Sequence, residues 1–185
     1  MKKTLIILAI FALSSSLVSA KDFRAELTFS YFSPSEEAYK DIYGGGLMFG
    51  GEVNMDVWKN LDAWISVSFF SREGEMTYTQ EEIKLKITPI VLGVRYSHAL
   101  NENINIYGGM GIAYFMYSEE ISALEDVSEG GLGFVIKAGG WMKVMKGLFV
   151  DVFIKYSSCS VEPADFKVNI GGIEVGLGLG YEFKK

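Results

Sequence analysis

The chain has 185 residues, of which 49% are hydrophobic, and it carries a formal net charge of −6 at pH 7. The length suits one domain, and the negative charge argues against nucleic acid as a partner. A bundle of membrane-spanning helices is excluded as well, because no segment provides the roughly 20 consecutive apolar residues that each helix would need. Cys159 is the single cysteine, so an internal disulfide cannot form.

The first twenty residues have the layout of a secretory signal peptide. Lys2 and Lys3 form a basic start, residues 5–13 are apolar, and small residues lead up to Ala20. The apolar run is too short to span a membrane as a helix, so cleavage after Ala20 is expected, with a retained anchor as the alternative. The predicted organisation is a signal peptide at residues 1–20 and an exported domain at residues 21–185.

The exported part repeats one pattern, an alternating segment followed by a polar break. Alternation with a period of two is typical of a β-strand whose two faces meet different surroundings. In chain order, the segments predict strands over residues 23–32, 45–57, 63–72, 81–97, 104–117, 132–143, 148–156 and 172–183. In the fourth segment the apolar phase shifts by one residue at Thr88-Pro89, which predicts a β-bulge.

The connections between these segments alternate in length. Long polar connections fall at residues 33–44, 73–80, 118–131 and 157–167, and short ones at 58–62, 98–103 and 144–147. Both chain ends therefore lie on the side of the short turns. Short periplasmic turns, longer external loops and an even strand number are typical of bacterial outer-membrane barrels. The predicted fold is all-β, an eight-stranded antiparallel up-and-down transmembrane β-barrel in the outer membrane of a Gram-negative bacterium.

A soluble periplasmic ligand-binding barrel is the alternative, because its strands also alternate, with the apolar face turned inward. Three features favour the membrane. The segments exceed the roughly 5–6 residues of soluble strands and reach the roughly 9–11 of tilted spanning strands. The polar face is rich in glycine, which suits a narrow lumen. The expected lumen glycines are Gly109, Gly111, Gly139, Gly176, Gly178 and Gly180, and the expected lipid-facing residues include Leu27, Val53, Ile112 and Leu177.

The third feature is aromatic placement, since membrane barrels carry an aromatic girdle at each interface. The periplasmic girdle is predicted to comprise Phe23, Trp58, Tyr96, Trp141, Tyr181 and Phe183, and the external girdle Tyr31, Phe69, Tyr114, Tyr117 and Tyr156.

Three stretches carry a resemblance to a known family. They are residues 86–90 with 94–96, residues 106–114, and the terminal residues 178–183. With them the chain resembles the small outer-membrane β-barrel family that includes the OmpA transmembrane domain and the OmpW-like proteins. The resemblance implies that the last strand carries the signal recognised by the barrel-assembly machinery, and Gly178, Tyr181 and Phe183 match that signal.

The inward face carries charges of both signs, which must pair in a narrow lumen because an isolated buried charge is very costly. The pattern predicts a salt-bridged plug, with a narrow ion path as the alternative. The predicted lumen charge network comprises Arg24, Glu26, Glu52, Asp56, Lys84, Lys86, Arg95, Lys137, Asp151, Lys155, Glu174 and Glu182.

No catalytic or metal-ligating constellation emerges from the sequence. His98 is the single histidine, and the neighbouring Ser97 is expected to point to the opposite face of its strand. We therefore expect no cofactor, no metal and a non-enzymatic outer-membrane protein with a structural or surface-interaction role. A narrow channel or a carrier for small hydrophobic molecules is the alternative that the OmpW resemblance suggests. The expected partners are outer-membrane lipid and, during biogenesis, the assembly machinery, and the expected state is a monomer.

Overall fold

A computed structural model describes residues 22–75, 82–121, 127–161 and 168–184. The predicted signal peptide with its cleavage position at Ala20 lies outside these residues. The strands are β1 (Asp22–Pro34), β2 (Gly46–Trp58), β3 (Leu61–Glu75), β4 (Glu82–Ala99), β5 (Ile104–Ile121), β6 (Val127–Lys143), β7 (Leu148–Val161), β8 (Val168–Asn169) and β9 (Gly172–Lys184). A short helix, α1 (Glu37–Tyr43), follows β1, and no described helix is long and apolar enough to cross a membrane.

Eight long strands close into an antiparallel barrel. Each pairs with its neighbour in the chain from β1 to β7, and β9 pairs with both β7 and β1. Closure follows from the surroundings, because hydrocarbon offers no partner to an open N–H or C=O. The predicted eight-stranded antiparallel fold is confirmed.

The strands extend further at the external end than the sequence pattern predicted. The β5–β6 ladder continues to the pair Glu119–Val127, so the described residues of the expected loop at 118–131 belong largely to paired strands. The two-residue strand β8 adds to the external end of β7. This end of the barrel is therefore a scaffold of paired strands carrying α1.

The predicted β-bulge at Thr88-Pro89 is wrong. The register of β4 against β5 is constant along its whole length, and Leu85 and Ile87 are buried in the lumen. The apolar phase of the sequence changes because the surroundings change. On the periplasmic side of Pro89 the alternating apolar residues of β4 face lipid. On its external side they face the apolar half of the lumen. The β3–β4 ladder is interrupted opposite Pro89, which has no N–H to donate.

The outer face of the barrel is apolar. Leu27, Ile112 and Leu177 have 63%, 66% and 56% of their surface exposed, and Val53 shares this face by its pairing with Ala25. The predicted lumen glycines alternate with these side chains on the opposite face. A soluble barrel with an apolar interior and a polar exterior is excluded by this arrangement.

The aromatic girdles are present with two corrections. Trp58, Tyr96, Tyr181 and Phe183 are exposed at the periplasmic end, and Tyr31, Phe69, Tyr114 and Tyr156 at the external end. Phe23 stacks on Phe183 in the periplasmic girdle. Trp141 and Tyr117 are instead buried in the lumen. Their position along each strand gives them inward parity, which outweighs their nearness to a strand end.

Candidate functional site: the lumen

The lumen has a charged half towards the periplasm and an apolar half towards the exterior. We call the first the charged cluster, and it consists of Arg24, Glu26, Glu52, Asp56, Asp62, Arg95, Lys137 and Asp151. We call the second the apolar plug, and it consists of Phe32, Met48, Phe70, Leu85, Ile87, Val91, Phe115, Tyr117, Val135, Cys159, Val161 and Ile170.

Asp62 connects two arginines at the periplasmic edge of the charged cluster. Its Oδ2 lies 2.7 Å from Arg24 Nη2 and 3.1 Å from Arg95 Nε, and it also accepts a 2.7 Å hydrogen bond from the Ser97 hydroxyl. Arg24 Nη2 contacts Asp56 Oδ1 at 3.2 Å as well. These charge-assisted bonds offset the loss of solvation that burial imposes on each ion.

Lys137 forms the centre of the cluster. Its Nζ lies 2.8 Å from Glu52 Oε2, 3.5 Å from Glu26 Oε1 and 3.9 Å from Asp151 Oδ2. The other oxygen of Glu52 contacts Arg95 Nη1 at 3.2 Å, so the two basic residues share one carboxylate. Residues from six strands therefore meet across the lumen and close it.

Aromatic rings complete the packing around these ions. The Tyr107 hydroxyl donates a 2.6 Å hydrogen bond to Asp151, and the Arg95 guanidinium lies 4.5 Å from the Tyr107 ring centroid. Lys137 lies 4.5 Å from the Phe153 ring and Arg24 lies 5.1 Å from the Trp141 ring. Such cation–π contacts stabilise cations that have lost their water.

Two further ion pairs lie outside the charged cluster. Lys155 and Glu174 contact each other at 2.6 Å beside the apolar plug, and Ser30 donates a 2.8 Å hydrogen bond to Glu174. At the periplasmic rim Glu182 contacts Lys143 at 3.0 Å. The sequence predicted one network of twelve residues. The lumen contains ten of them, and they form three separate groups.

Lys84 and Lys86 do not belong to the lumen, which corrects the sequence-based assignment. Both alternate with the buried Leu85 and Ile87 and therefore lie on the outer face of β4. Lys84 contacts Glu73 on β3 at 3.1 Å, and both side chains are exposed. The position is polar because β4 has left the membrane here, so water replaces lipid outside while the plug occupies the inside.

Asp62 and Tyr107 are the main contributors that the sequence analysis missed. Asp62 was assigned to a turn at residues 58–62, but β3 begins at Leu61 and Asp62 is 2% exposed. Its parity with Trp64, Ser66 and Ser68 was the signal that could have placed it inside. Tyr107 has the parity of Gly109 and Gly111, so the same rule would have found it.

Glycines make room for the large side chains of the lumen. A Cβ on Gly93 would lie 2.6 Å from Trp64 Nε1, and one on Gly139 would lie 2.6 Å from the Tyr107 hydroxyl. A Cβ on Gly176 would lie 2.7 Å from the Phe153 ring. The narrowness of the lumen suggested a lining of small residues alone, but large side chains line it as well. Large rings occupy the space beside glycines of neighbouring strands.

The plug leaves almost no free space. The cavity between it and the Lys155–Glu174 pair measures about 10 Å³, which is about the room that one water molecule needs. The charged cluster below is equally dense, with Glu52, Arg95 and Lys137 each at most 4% exposed. Buried side chains therefore occupy both halves of the lumen along the strands that the structure describes.

Helix α1 covers the external mouth with two tyrosines. The Tyr39 hydroxyl donates to the Tyr117 hydroxyl at 2.8 Å, and Tyr117 donates to Glu119 at 2.7 Å. Tyr43 also donates to Glu119. Burial of the rings raises the pKa of Tyr39 and of Tyr43, because the charged phenolate would lose its water. The hydroxyls therefore remain protonated donors over the physiological range.

His98 and Ser97 point in opposite directions, as the alternation of β4 predicted. His98 is exposed at the periplasmic end of β4, while the hydroxyl of Ser97 is bonded to Asp62 inside the barrel. The two side chains therefore form no nucleophile–base pair.

A family model for the outer membrane protein beta-barrel domain matches residues 4–183. The chain belongs to this family. No curated protein shows significant sequence similarity to it. The family places this barrel in the outer membrane, in agreement with its apolar outer face.

Solved structures share the fold of this outer-membrane barrel. The outer membrane protein OprG from Pseudomonas aeruginosa superimposes with a TM-score of 0.70 at 14% identity, covering 90% of this chain and 97% of OprG. The N-terminal beta-barrel domain of Pseudomonas aeruginosa OprF gives 0.60 at 13%, with 89% and 98% covered. Ail, the attachment invasion locus protein of Yersinia pestis, gives 0.54 at 16% in complex with the heparin analogue sucrose octasulfate, with 88% and 97% covered. These identities establish a shared fold only.

The residues assigned to the assembly signal lie in β9 of the barrel. Gly178 faces the lumen, whereas Tyr181 and Phe183 face outward at the periplasmic girdle. Their role in assembly stays a prediction.

Proposed function

We propose that this outer-membrane barrel is a non-conducting, non-enzymatic protein with a structural or surface-interaction role. The observation that carries the proposal is the filled lumen. The charged cluster closes its periplasmic half, the apolar plug closes its external half, and α1 covers the mouth. A rigid closed barrel suits a protein whose activity lies at its external end.

The external end is acidic, which limits the kind of surface it can approach. The four long connections predicted from the sequence hold twelve acidic residues and two basic ones, Lys40 and Lys167. Arg72, Lys84 and Lys86 on the adjoining ends of β3 and β4 do not balance this negative charge. Ail supports an attachment role for this fold, but its bound ligand is a polyanion. Charge complementarity favours a cationic or neutral surface for the present chain.

Conductance in planar lipid bilayers tests the closed lumen. The purified barrel should give no steady current at any voltage at which a reconstituted general porin conducts. A reproducible single-channel current from the wild-type barrel would overturn the proposal. Release of acyl chains from lipid A by the purified protein would overturn its non-enzymatic part.

A binding assay with intact cells tests the surface role. Cells displaying the barrel should adhere to a surface coated with a cationic polymer better than cells without it. The variant E36Q/E37Q/D41N should reduce this adhesion, whereas K40Q should not reduce it. Equal adhesion of cells with and without the barrel, on cationic, neutral and sulfated surfaces alike, would contradict the surface-interaction role.

A carrier for small hydrophobic molecules is the second candidate, and two observations favour it. The external half of the lumen is apolar, and the β3–β4 ladder is interrupted beside it at Pro89. A small apolar molecule would have to displace the rings of the plug. Uptake of such a molecule into vesicles containing the barrel, increased by the variant V135A that makes room in the plug, would favour this candidate over the first.

A further inference from the structure

A notch opens at the periplasmic rim, between the β6–β7 turn and the end of β9. It measures about 620 Å³, and its walls include the turn residues 143–147, the β9 residues 181–184 and Asn103. The notch exists because β9 continues past the first residue of β7, where Leu148 pairs with Tyr181. This volume lies in the range of roughly 300–1,000 Å³ that is typical of small-molecule sites.

The notch is positively charged. Lys143, Lys146 and Lys184 lie in its walls together with one acid, Glu182. Glu182 contacts Lys143 at 3.0 Å and Lys184 at 3.5 Å, so one carboxylate is shared by two ammonium groups. The three lysines therefore leave positive charge for an external anion, in a protein whose overall charge is −6.

A second, apolar groove continues from the notch up the outer wall of the barrel. It measures about 340 Å³, crosses β1, β9 and β7, and is lined on its outer surface by Ala25, Leu27, Leu148 and Leu179. Tyr181 lines both the notch and the groove. A basic site at the membrane surface thus leads directly into an apolar furrow on the lipid-facing wall, and the small side chain of Ala25 leaves the furrow open.

The turn that forms one wall of the notch carries exposed apolar side chains between two lysines. Val144 and Met145, at its tip, are 53% and 70% exposed, and Lys143 and Lys146 flank them. Exposed apolar side chains bracketed by lysines are favoured at a membrane interface, where the chains enter the bilayer and the ammonium groups reach the phosphates.

We propose that the notch and the groove together bind one anionic phospholipid of the periplasmic leaflet. The lipid phosphate lies in the notch against Lys146 and Lys184, and one acyl chain lies in the groove along β1, β9 and β7. Basic pockets at the membrane surface recognise anionic headgroups in this way. The acyl chain gains little from burial against protein alone, so the charge of the headgroup decides which lipid occupies the site.

Native mass spectrometry of the full barrel released from nanodiscs tests the proposal. The nanodiscs contain phosphatidylethanolamine and phosphatidylglycerol in equal amounts. The wild-type barrel should retain one phosphatidylglycerol in preference to phosphatidylethanolamine. The variant K146Q/K184Q should lower that retention roughly tenfold or more, since each basic residue near a membrane surface contributes a comparable share of the attraction.

Two matched controls separate this site from general lipid contact. K59Q removes a periplasmic lysine that lies beside Trp58 and outside the notch, and it should leave retention unchanged. A25L should fill the groove and lower retention, whereas A63L, at an outward position on β3, should not. Each variant is first shown to be folded by its unboiled migration on a gel.

Three results would overturn the proposal. They are equal retention of both lipids by the wild type, an equal loss in K59Q and K146Q/K184Q, and displacement of the lipid by millimolar inorganic phosphate with no effect of A25L. The last result would assign the notch to free phosphate instead of a lipid.

Discussion

Lys137 shows how a charge can be stable inside a narrow membrane barrel. Its ammonium group has three carboxylates within 4 Å and the Phe153 ring below it. Each of these groups has lost its water, so each depends on the others. In such a cluster the loss of one member is costly, although an entirely apolar packing would not be.

Replacement of Lys137 by methionine tests this dependence. Glu26 would lose its cation and Glu52 one of its two, so K137M should lower the free energy of unfolding by about 3–5 kcal/mol. K84M is the matched control, because the exposed Lys84–Glu73 pair contributes at most about 1 kcal/mol. Urea unfolding in lipid vesicles measures both. Equal stability of the two variants would show that the cluster is solvated.

The lumen glycines stabilise the barrel by leaving room for neighbouring side chains. A Cβ on Gly180 would lie 2.7 Å from the Ala25 carbonyl oxygen and would meet the Phe149 ring, whereas nothing lies within 4 Å of a Cβ on Gly108. Gly180 is therefore part of the packing of the lumen rings, whereas the outward-facing Gly108 is not.

We expect G180A to lower the free energy of unfolding by about 1–3 kcal/mol, because the ring must leave its preferred position. G108A should leave it unchanged or slightly raised. The same unfolding assay compares them, and a G108A variant as unstable as G180A would contradict the packing argument.

Strand β4 passes from one environment to another without changing its pleat. Below Pro89 its outward residues, such as Leu92, are apolar and its inward residue Arg95 is charged. Above Pro89 the outward residues are lysines and the inward ones apolar. Each face of β4 keeps its direction along the whole strand. The residue type on the outer face changes where the strand leaves the membrane, and that on the inner face changes where the filling of the lumen changes from ions to apolar side chains.

Cysteine labelling of β4 measures these faces directly. In a C159A background, K86C should react with a membrane-impermeant maleimide added to intact cells, and I87C should not, because Ile87 lies within the plug. The opposite pattern would restore a bulge at Pro89.

Barrel closure depends on the ladder between β1 and β9, which also contains the predicted assembly signal. Phe183 stacks on Phe23 with ring centroids 4.4 Å apart, so the two residues contribute equally to this contact. They differ in two respects, because Phe183 also contacts the Tyr181 ring at 4.8 Å between centroids and belongs to the predicted signal in the last strand.

The variants F183A and F23A separate closure from assembly. F23A should lower the stability of the refolded barrel by about 1 kcal/mol through the lost ring contact, and F183A by about 1–2 kcal/mol, because it also removes the contact with Tyr181. In cells, F183A should reduce the amount of folded barrel in the outer membrane several-fold, and F23A should not. Equal amounts of the two variants would show that Phe183 acts only through packing.

The number of strands, their order and the face that meets lipid were predictable because each depends on a local pattern. An alternation such as that of residues 172–183 marks two faces, and lipid requires every edge to be paired. The content of the lumen was only partly predictable. Parity predicts that Glu52 and Lys137 point inward, but they are 85 positions apart.

Contacts across the lumen depend on the stagger of all eight strands, which no local pattern contains. The contact of Lys137 with Glu52 and the linking of two arginines by Asp62 follow from that stagger, and the outward position of Lys84 follows from the depth at which β4 leaves the membrane. The folded barrel alone established these positions, because the same alternation is compatible with a charged, an apolar or an open interior.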